Sequence, residues 1–261
     1  RGGTILKSAR CQDFFEAEGR KRAHVHLVEA GIDGLVVIGG NGTFTGALKF
    51  GQETGFPVVG LPGTIDNDLS GSDCTIGFDT AINTVVDAVD KIRDTADSHN
   101  RLFFVEVMGR DSGLIALKSG IATGAVAVMT PEMNMSIEDL VAVLQAGEQS
   151  NKTSSIVLVA EGDTNGGAFE IAKKVQALTN RYETRITVLG HLQRGGSPSC
   201  FDRVLASRLG VAAVEALRTG HSDVMAGILN DKISLTPFEE AITNKSEIND
   251  DEVRIARILS I

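Results

Sequence analysis

The sequence predicts an α/β fold with parallel-rich sheets, and three observations carry the prediction. Short apolar, β-branched runs recur along the chain. Segments with apolar residues every three or four positions lie between them. The runs end in glycine- or proline-bearing turns that also carry acids, arginines or a histidine. Strands alternating with helices pack as parallel sheets joined by right-handed crossovers.

The elements follow in order. Leu35–Ile38 reads as a buried strand and runs into GGNGTFTGA, residues 39–47, a glycine-rich turn that opens a helix. Pro57–Leu61 is the next strand, followed by PGTIDND. Over Thr80–Ser98 the apolar positions Ile82, Val85, Val86, Val89 and Ile92 fall on one helical face. Leu102–Val107 is a strand that ends in MGRDSG, residues 108–113, and Ala125–Met129 is one that ends in TPE. Ser136 with Asp139 has the pattern of a capping box ahead of Leu140, Val141, Val143 and Leu144. Ile156–Ala160 leads to EGD, and Thr187–Leu189 leads to GHLQRGGSP, residues 190–198. Cys200–Arg218, rich in Ala, Val and Leu, is a further long helix. No repeat, linker or low-complexity tract interrupts the series.

Composition narrows the function. With 261 residues the chain suffices for one large domain or two medium ones. A net charge of −9, from 25 basic and 34 acidic residues, argues against nucleic acid or an acidic membrane as the main partner. It leaves room for anionic small substrates, which need only a local basic cluster. The absence of Trp and the single Tyr182 argue against a base-stacking platform. Cys11, Cys74 and Cys200 lack CxxC spacing and read as free thiols of a reducing, cytoplasmic compartment. No apolar run reaches membrane-spanning length, and no signal-peptide pattern precedes the first strand.

Ligands of open α/β sheets bind beyond the carboxyl ends of strands, so six chemistry-bearing strand ends in register mark an active-site cleft. In GGNGTFTGA, backbone N–H groups can approach phosphate oxygens. Yet Gly40, Gly42 and Gly46 match neither a P-loop nor GxGxxG spacing, and a plain packing turn reads equally well. Spacing and the lack of a following ribose-binding acid speak against a nicotinamide-dependent oxidoreductase. In TIDND, Asp66 suits a general base and Asp68 a partner or metal-linked acid, against the alternative of an Asx-turn. Arg110 suits a phosphoryl clamp or a surface ion pair with Asp111. His191 and Arg194 suit an anionic sugar phosphate, although for His191 alone a hydrogen-bonded structural role is the commoner fate. Glu161 suits sugar hydroxyls, or is an ordinary loop acid. Acids together with guanidinium groups point to phosphoryl transfer, which is mostly positioning and electrostatics.

Taken together, RGGT, SAR at 8–10, GGNGT, GLPGTIDND, TIGFDTAINT, VEVMGR, PE and VLGHLQRGGSPSCFDR resemble the ATP-dependent 6-phosphofructokinases of bacterial type, in family order over nearly the whole chain. The resemblance implies the phosphofructokinase fold, two Rossmann-like three-layer domains with parallel-rich sheets. The nucleotide domain falls at 1–77 and 194–243, and the sugar-phosphate domain at 78–193 and 244–261. It implies phosphoryl transfer from MgATP to the 1-hydroxyl of fructose 6-phosphate. In that role Asp66 is the base, Thr64 touches the transferred group, and Arg110 and Arg10 stabilise its charge. Asp68, Met108, Gly109, Glu161, His191 and Arg194 serve the sugar phosphate. Arg101 and Arg185 reach a neighbouring subunit's sugar site, so a homotetramer is implied. Arg10, Cys11, Gly40, Asn41, Gly42, Thr43 and Gly46 meet the nucleotide, and Asn41 meets Mg²⁺. Glycines at Gly42 and Gly63 match the ATP-using members, whereas pyrophosphate-using relatives tend to carry Asp and Lys there.

Three departures stand against the family pattern. The family's opening strand and glycine-rich nucleotide loop, roughly its first sixty residues, have no counterpart here, and a sheet without that strand is expected to be unstable alone. The metal-associated Asp of the family is Asn41, which keeps an oxygen but loses the charge that hard cations favour. Of the effector site only Arg93, Glu132 and Lys152 match, with Ser150 and Ser154 at the other places. The late start and Asn41 motivate a second reading, a non-catalytic or weakly active binding paralogue. Asp66, Thr64 and Arg110, kept together, favour the enzyme.

Overall fold

The computed structural model describes residues 2–5, 7–96, 101–149, 156–243 and 248–259. A 3-10 turn, Gln12–Phe15, precedes α1 (Ala17–Glu29), β1 (Leu35–Gly39), α2 (Asn41–Thr54), β2 (Val58–Pro62) and α3 (Phe78–Ala96). Then come β3 (Arg101–Val107), α4 (Leu114–Thr123), β4 (Ala127–Met129), α5 (Ile137–Gln149), β5 (Ile156–Ala160), α6 (Ala168–Leu178) and β6 (Glu183–Val188). A second 3-10 turn, Gly190–Arg194, leads to α7 (Cys200–Arg218), β7 (Val224–Leu229), β8 (Lys232–Pro237), α8 (Phe238–Thr243) and α9 (Asp250–Leu259). The chain divides into two compact units, Arg1–Phe78 with Pro198–Ser246, and Asp79–Ser197 with Glu247–Ile261. Among the described residues no helix is long and apolar enough to cross a membrane.

The first unit holds a sheet of order β1-β2-β7-β8. Its first three strands are parallel, and β7 and β8 form an antiparallel hairpin that the alternation of strand and helix does not anticipate. The hairpin turns on Asn230 and Asp231, both at positive φ (50° and 62°), the conformation a two-residue turn needs to match strand twist. Strand β2 is buried throughout, as read from its sequence. Strand β1 is not. It forms the sheet edge, and Val36 and Ile38 face outward, Ile38 at 61% exposure. The core is aromatic: Phe44 stacks on Phe238 at 5.0 Å, and Phe50 meets Phe56 edge-on at 5.8 Å.

Gly60, in the middle of β2, makes room for that core. A Cβ there would lie 2.5 Å from ring carbons of both Phe44 and Phe238, each fully buried. Overpacking of this kind costs about 1–3 kcal/mol. Gly60→Ala is therefore expected to lower the midpoint of denaturant unfolding, and an unchanged midpoint would contradict the packing described.

The second unit holds a fully parallel sheet of order β4-β5-β3-β6. Phe104, Val157, Val159, Leu140 and Ile171 are among the residues that form its core with α5 and α6. The reciprocal cap expected before α5 is present: Asp139 N–H donates to Ser136 Oγ at 3.0 Å, and Ser136 Oγ–H donates to Asp139 Oδ2 at 2.7 Å. Strand β5 has the bounds read from its sequence, and so does α7 in the first unit. Strand β6 begins at Glu183, four residues ahead of the apolar run Thr187–Leu189, and Leu189 lies outside it. As the sheet edge it needs only one apolar face, so charged Glu183 and Arg185 fit the exposed one.

Candidate active site

In the first unit the candidate groups gather beyond β1 and β2. Gly40 caps α2, and the helical ladder begins with Phe44 N–H donating to Gly40 C=O at 3.1 Å. The first N–H groups of a helix lie outside its ladder, so the turn Asn41–Gly42–Thr43 presents donors and a positive helix end. A Cβ on Gly39 would meet Thr43 Oγ1 at 2.2 Å, and one on Gly40 would come within 3.3 Å of Thr64. The two loops therefore touch through glycine. Gly42 differs: nothing lies within 4 Å of the space a side chain would fill.

The TIDND turn is held from several sides. Asp66 N–H donates to Thr64 Oγ1 at 3.2 Å, and Thr75 Oγ1 donates to Thr64 C=O at 2.7 Å. The Thr64 hydroxyl thus caps the local backbone. Asn67 sits at φ 51° and its Nδ2 donates to Asp73 C=O at 3.2 Å. Asp66 is buried at 6% exposure. Asp68 accepts a hydrogen bond from Asn41 Nδ2 at 2.7 Å.

Arg10 and Cys11 are exposed and lead into the turn Gln12–Phe15. That turn is bolted down by Arg20, which no motif or spacing marks out. Its guanidinium pairs with Glu53 through bonds of 2.7 and 2.6 Å and donates to the carbonyls of Phe14 and Phe15 at 2.8 and 2.9 Å. The pairing raises the Arg20 pKa and lowers that of Glu53. Phe14 packs within 5.9 Å of Phe50, and its ring lies 3.4 Å from the space a Cβ on Gly46 would take.

In the second unit the groups gather beyond β3, β5 and β6. Glu161 Oε1 accepts from the N–H groups of Gly109 and Arg110 at 3.2 and 2.7 Å. This carboxylate thus shapes the MGR loop with one oxygen. Gly109 is at φ 148°, and a Cβ there would be 2.3 Å from Ser112 C=O. Arg110 is at φ 54° and exposed. Of the non-glycine residues described at positive φ, only Arg110 and Lys7 are not Asn or Asp, the types that tolerate this conformation best. Strained backbone of this kind clusters at functional sites. Among the described residues no ion pair joins Arg110 to Asp111. Met108 N–H donates to Gln193 Oε1 at 2.9 Å, and His191 and Arg194 are exposed on the same short turn as Gln193.

Arg101 and Arg185 lie elsewhere in the unit. Both bind Glu183, Arg101 at 3.2 Å, and Arg101 followed by Arg185 hold that carboxylate below its usual range. Arg101 opens β3 and pairs in register with Glu183, while Met108 follows the strand's other end. Six strand steps of about 3.3 Å put Arg101 roughly 20 Å from that end, and Arg185, in register with Phe103, lies four steps or roughly 13 Å from it. Within one chain, then, these arginines are not brought to the MGR loop.

Of the effector matches, the two described, Arg93 and Glu132, are not brought together within this chain. Arg93 donates to Thr123 C=O at the carboxyl end of α4, and Glu132 Oε1 accepts from Gly113 N–H at the amino end, at 2.8 Å. Ten residues at about 1.5 Å each place the two sites roughly 15 Å apart. Each suits the helix dipole where it sits. Lys152 lies outside the described residues, as do Ser150 and Ser154.

The oxygens of Asn41 and Asp68 form a donor set suited to Mg²⁺. Among the described residues no group of three or more His, Cys, Asp or Glu could cage a metal by itself. Mg²⁺ seldom needs such a cage, since substrate phosphates and water supply most of its ligands. The residues therefore fit the ion.

The family model described as phosphofructokinase matches residues 1–217. The ATP-dependent 6-phosphofructokinase 2 of Bacteroides thetaiotaomicron is 54% identical over 260 residues, covering 100% of this chain and 80% of that protein. The ATP-dependent 6-phosphofructokinase 1 of Thermus thermophilus is 53% identical over 261 residues, covering 100% of this chain and 81% of that one. The solved phosphofructokinase from Saccharomyces cerevisiae superposes with a TM-score of 0.85 at 33% identity, covering 99% of this chain but only 37% of the yeast chain.

Proposed function

The chain belongs to the phosphofructokinase family, and we propose from that membership a division of labour among the residues described. It transfers the terminal phosphoryl group of ATP to the 1-hydroxyl of fructose 6-phosphate, giving fructose 1,6-bisphosphate and ADP in glycolysis. A non-catalytic paralogue is not favoured by relatives of this closeness. The observation that carries the catalytic assignment is the TIDND turn, where a buried acid is tied through its own N–H to the Thr64 hydroxyl.

Asp66 takes the proton of the sugar's 1-hydroxyl as the new bond to phosphorus forms. Thr64 Oγ1 accepts from the backbone, so its own hydroxyl proton stays available for an oxygen of the transferred group. Arg110, with its backbone N–H fixed by Glu161, and Arg10 supply guanidinium groups to the charge on that group. His191 and Arg194 bind the sugar's phosphate. Met108, Gly109, Asp68 and the second oxygen of Glu161 line its sugar. Asn41 and Asp68 would hold Mg²⁺, which would supply positive charge to the phosphates of the nucleotide. Gly40, Gly42, Thr43 and Gly46, with Cys11, face the nucleotide. The open space at Gly42 is a reason to read ATP as the donor, because the fold itself tolerates a side chain there. Arg101 and Arg185, remote from their own chain's MGR loop, serve a neighbouring subunit in a cytoplasmic homotetramer whose effector set includes Arg93, Glu132 and Lys152. Phosphorus NMR of the product tests the activity: phosphate on carbon 1 with equimolar ADP is expected, and ADP formed without a bisphosphate would contradict it.

Asn41 makes a sharper prediction. Its amide holds Asp68 by a neutral hydrogen bond of 2.7 Å, where an Asp would bring two carboxylates together. Asn41→Asp should lower the melting temperature in chelator and recover it with Mg²⁺. It should also reduce the Mg²⁺ needed for half-maximal rate by roughly 10–100-fold, without moving the KM for fructose 6-phosphate. A variant with unchanged metal dependence in both melting and rate would remove the metal role from this position.

A further inference from the structure

We infer that Gln193 is a positioning residue that couples the two segments of the sugar-phosphate half, the MGR loop and the turn Gly190–Arg194. The inference rests on the proposed sugar-phosphate role of Met108, Gly109, His191 and Arg194. Gln193 is 1% exposed and is the one buried residue of its turn, with His191 and Arg194 exposed on either side. Its Oε1 accepts the Met108 N–H at 2.9 Å across 85 residues of sequence. The adjoining backbone repeats the link, with Leu189 N–H donating to Glu106 C=O at 3.1 Å. The buried Nε2 has no hydrogen-bond partner among the described residues. A buried amide with an unused donor is poor packing material, because an apolar side chain of similar size would avoid the unmet hydrogen bond. What the amide supplies is the acceptor that fixes Met108 N–H and so sets the spacing between that loop and the two basic side chains. A phosphate-bearing sugar must meet both segments at once, and small displacements of positioning groups are costly.

The test uses Gln193→Met and Gln193→Leu, which keep volume and lose the acceptor. Each should raise the KM for fructose 6-phosphate by roughly 10–100-fold, with the KM for ATP unchanged and the fructose 6-phosphate-induced rise in melting temperature lost. A role in packing alone would lower the melting temperature without this split between substrates. His191→Ala and Arg194→Ala are measured alongside. If they raise that KM while the Gln193 variants do not, the coupling is wrong and the site reading stands. If neither of them moves it, the site reading fails and the coupling with it. Amide exchange on the unaltered enzyme gives an arm that needs no variant. Fructose 6-phosphate alone should protect peptides covering 108–110 and 190–194 together, and protection of only one would overturn the inference.

Discussion

Asp66→Asn is expected to lower kcat by roughly 10²–10⁴-fold, the usual worth of a positioned general base, while both KM values stay near their starting points. Asn has the shape of Asp and keeps the backbone that the turn relies on, since the bond to Thr64 comes from the main-chain N–H. Asn67 at φ 51° and its bond to Asp73 are untouched by the change. What is lost is the lone pair able to take a proton from the sugar hydroxyl. Steady-state rates against each substrate measure this, and the melting temperature verifies that the fold survives. A kcat near the starting value would remove Asp66 from the chemistry.

Removing the guanidinium of Arg110 is expected to cost roughly 10²–10³-fold in kcat, as for other groups aimed at charge in a transition state. Arg110→Gly is the informative variant. The residue lies at φ 54°, where glycine is at ease and arginine is not, so the substitution relieves the backbone while deleting the charge. Its N–H can still donate to Glu161. Stability should hold or rise as activity falls. Arg110→Lys should fall between, because lysine restores the charge without the planar fork. An Arg110→Gly enzyme with undiminished kcat would show that the guanidinium takes no part.

The strands buried on both faces were legible because nothing but an apolar run can occupy such a place. Ile156–Ala160 and the fully buried β2 show this. Edges were less so. Strand β6 opens with Glu183 and Arg185, residues that a one-sided strand accepts and a pattern of continuous apolar runs discards. The hairpin β7–β8 went unread although Asn230–Asp231 is a turn signal, because a strand–helix alternation leaves no place for it. At the site, sequence reveals residue types and local turns but not pairings between distant segments. Gln193 with Met108, Arg20 with Glu53, and Glu161 with the N–H of Arg110 join positions 85, 33 and 51 residues apart. Nothing in their spacing announces them.

The initial rate of fructose 1,6-bisphosphate formation, followed through aldolase at saturating fructose 6-phosphate with either MgATP or magnesium pyrophosphate as sole donor, tests the central claim most directly. Turnover with ATP and none above background with pyrophosphate is the result predicted from Gly42, Gly63 and the TIDND turn. Turnover with pyrophosphate and none with ATP would contradict it.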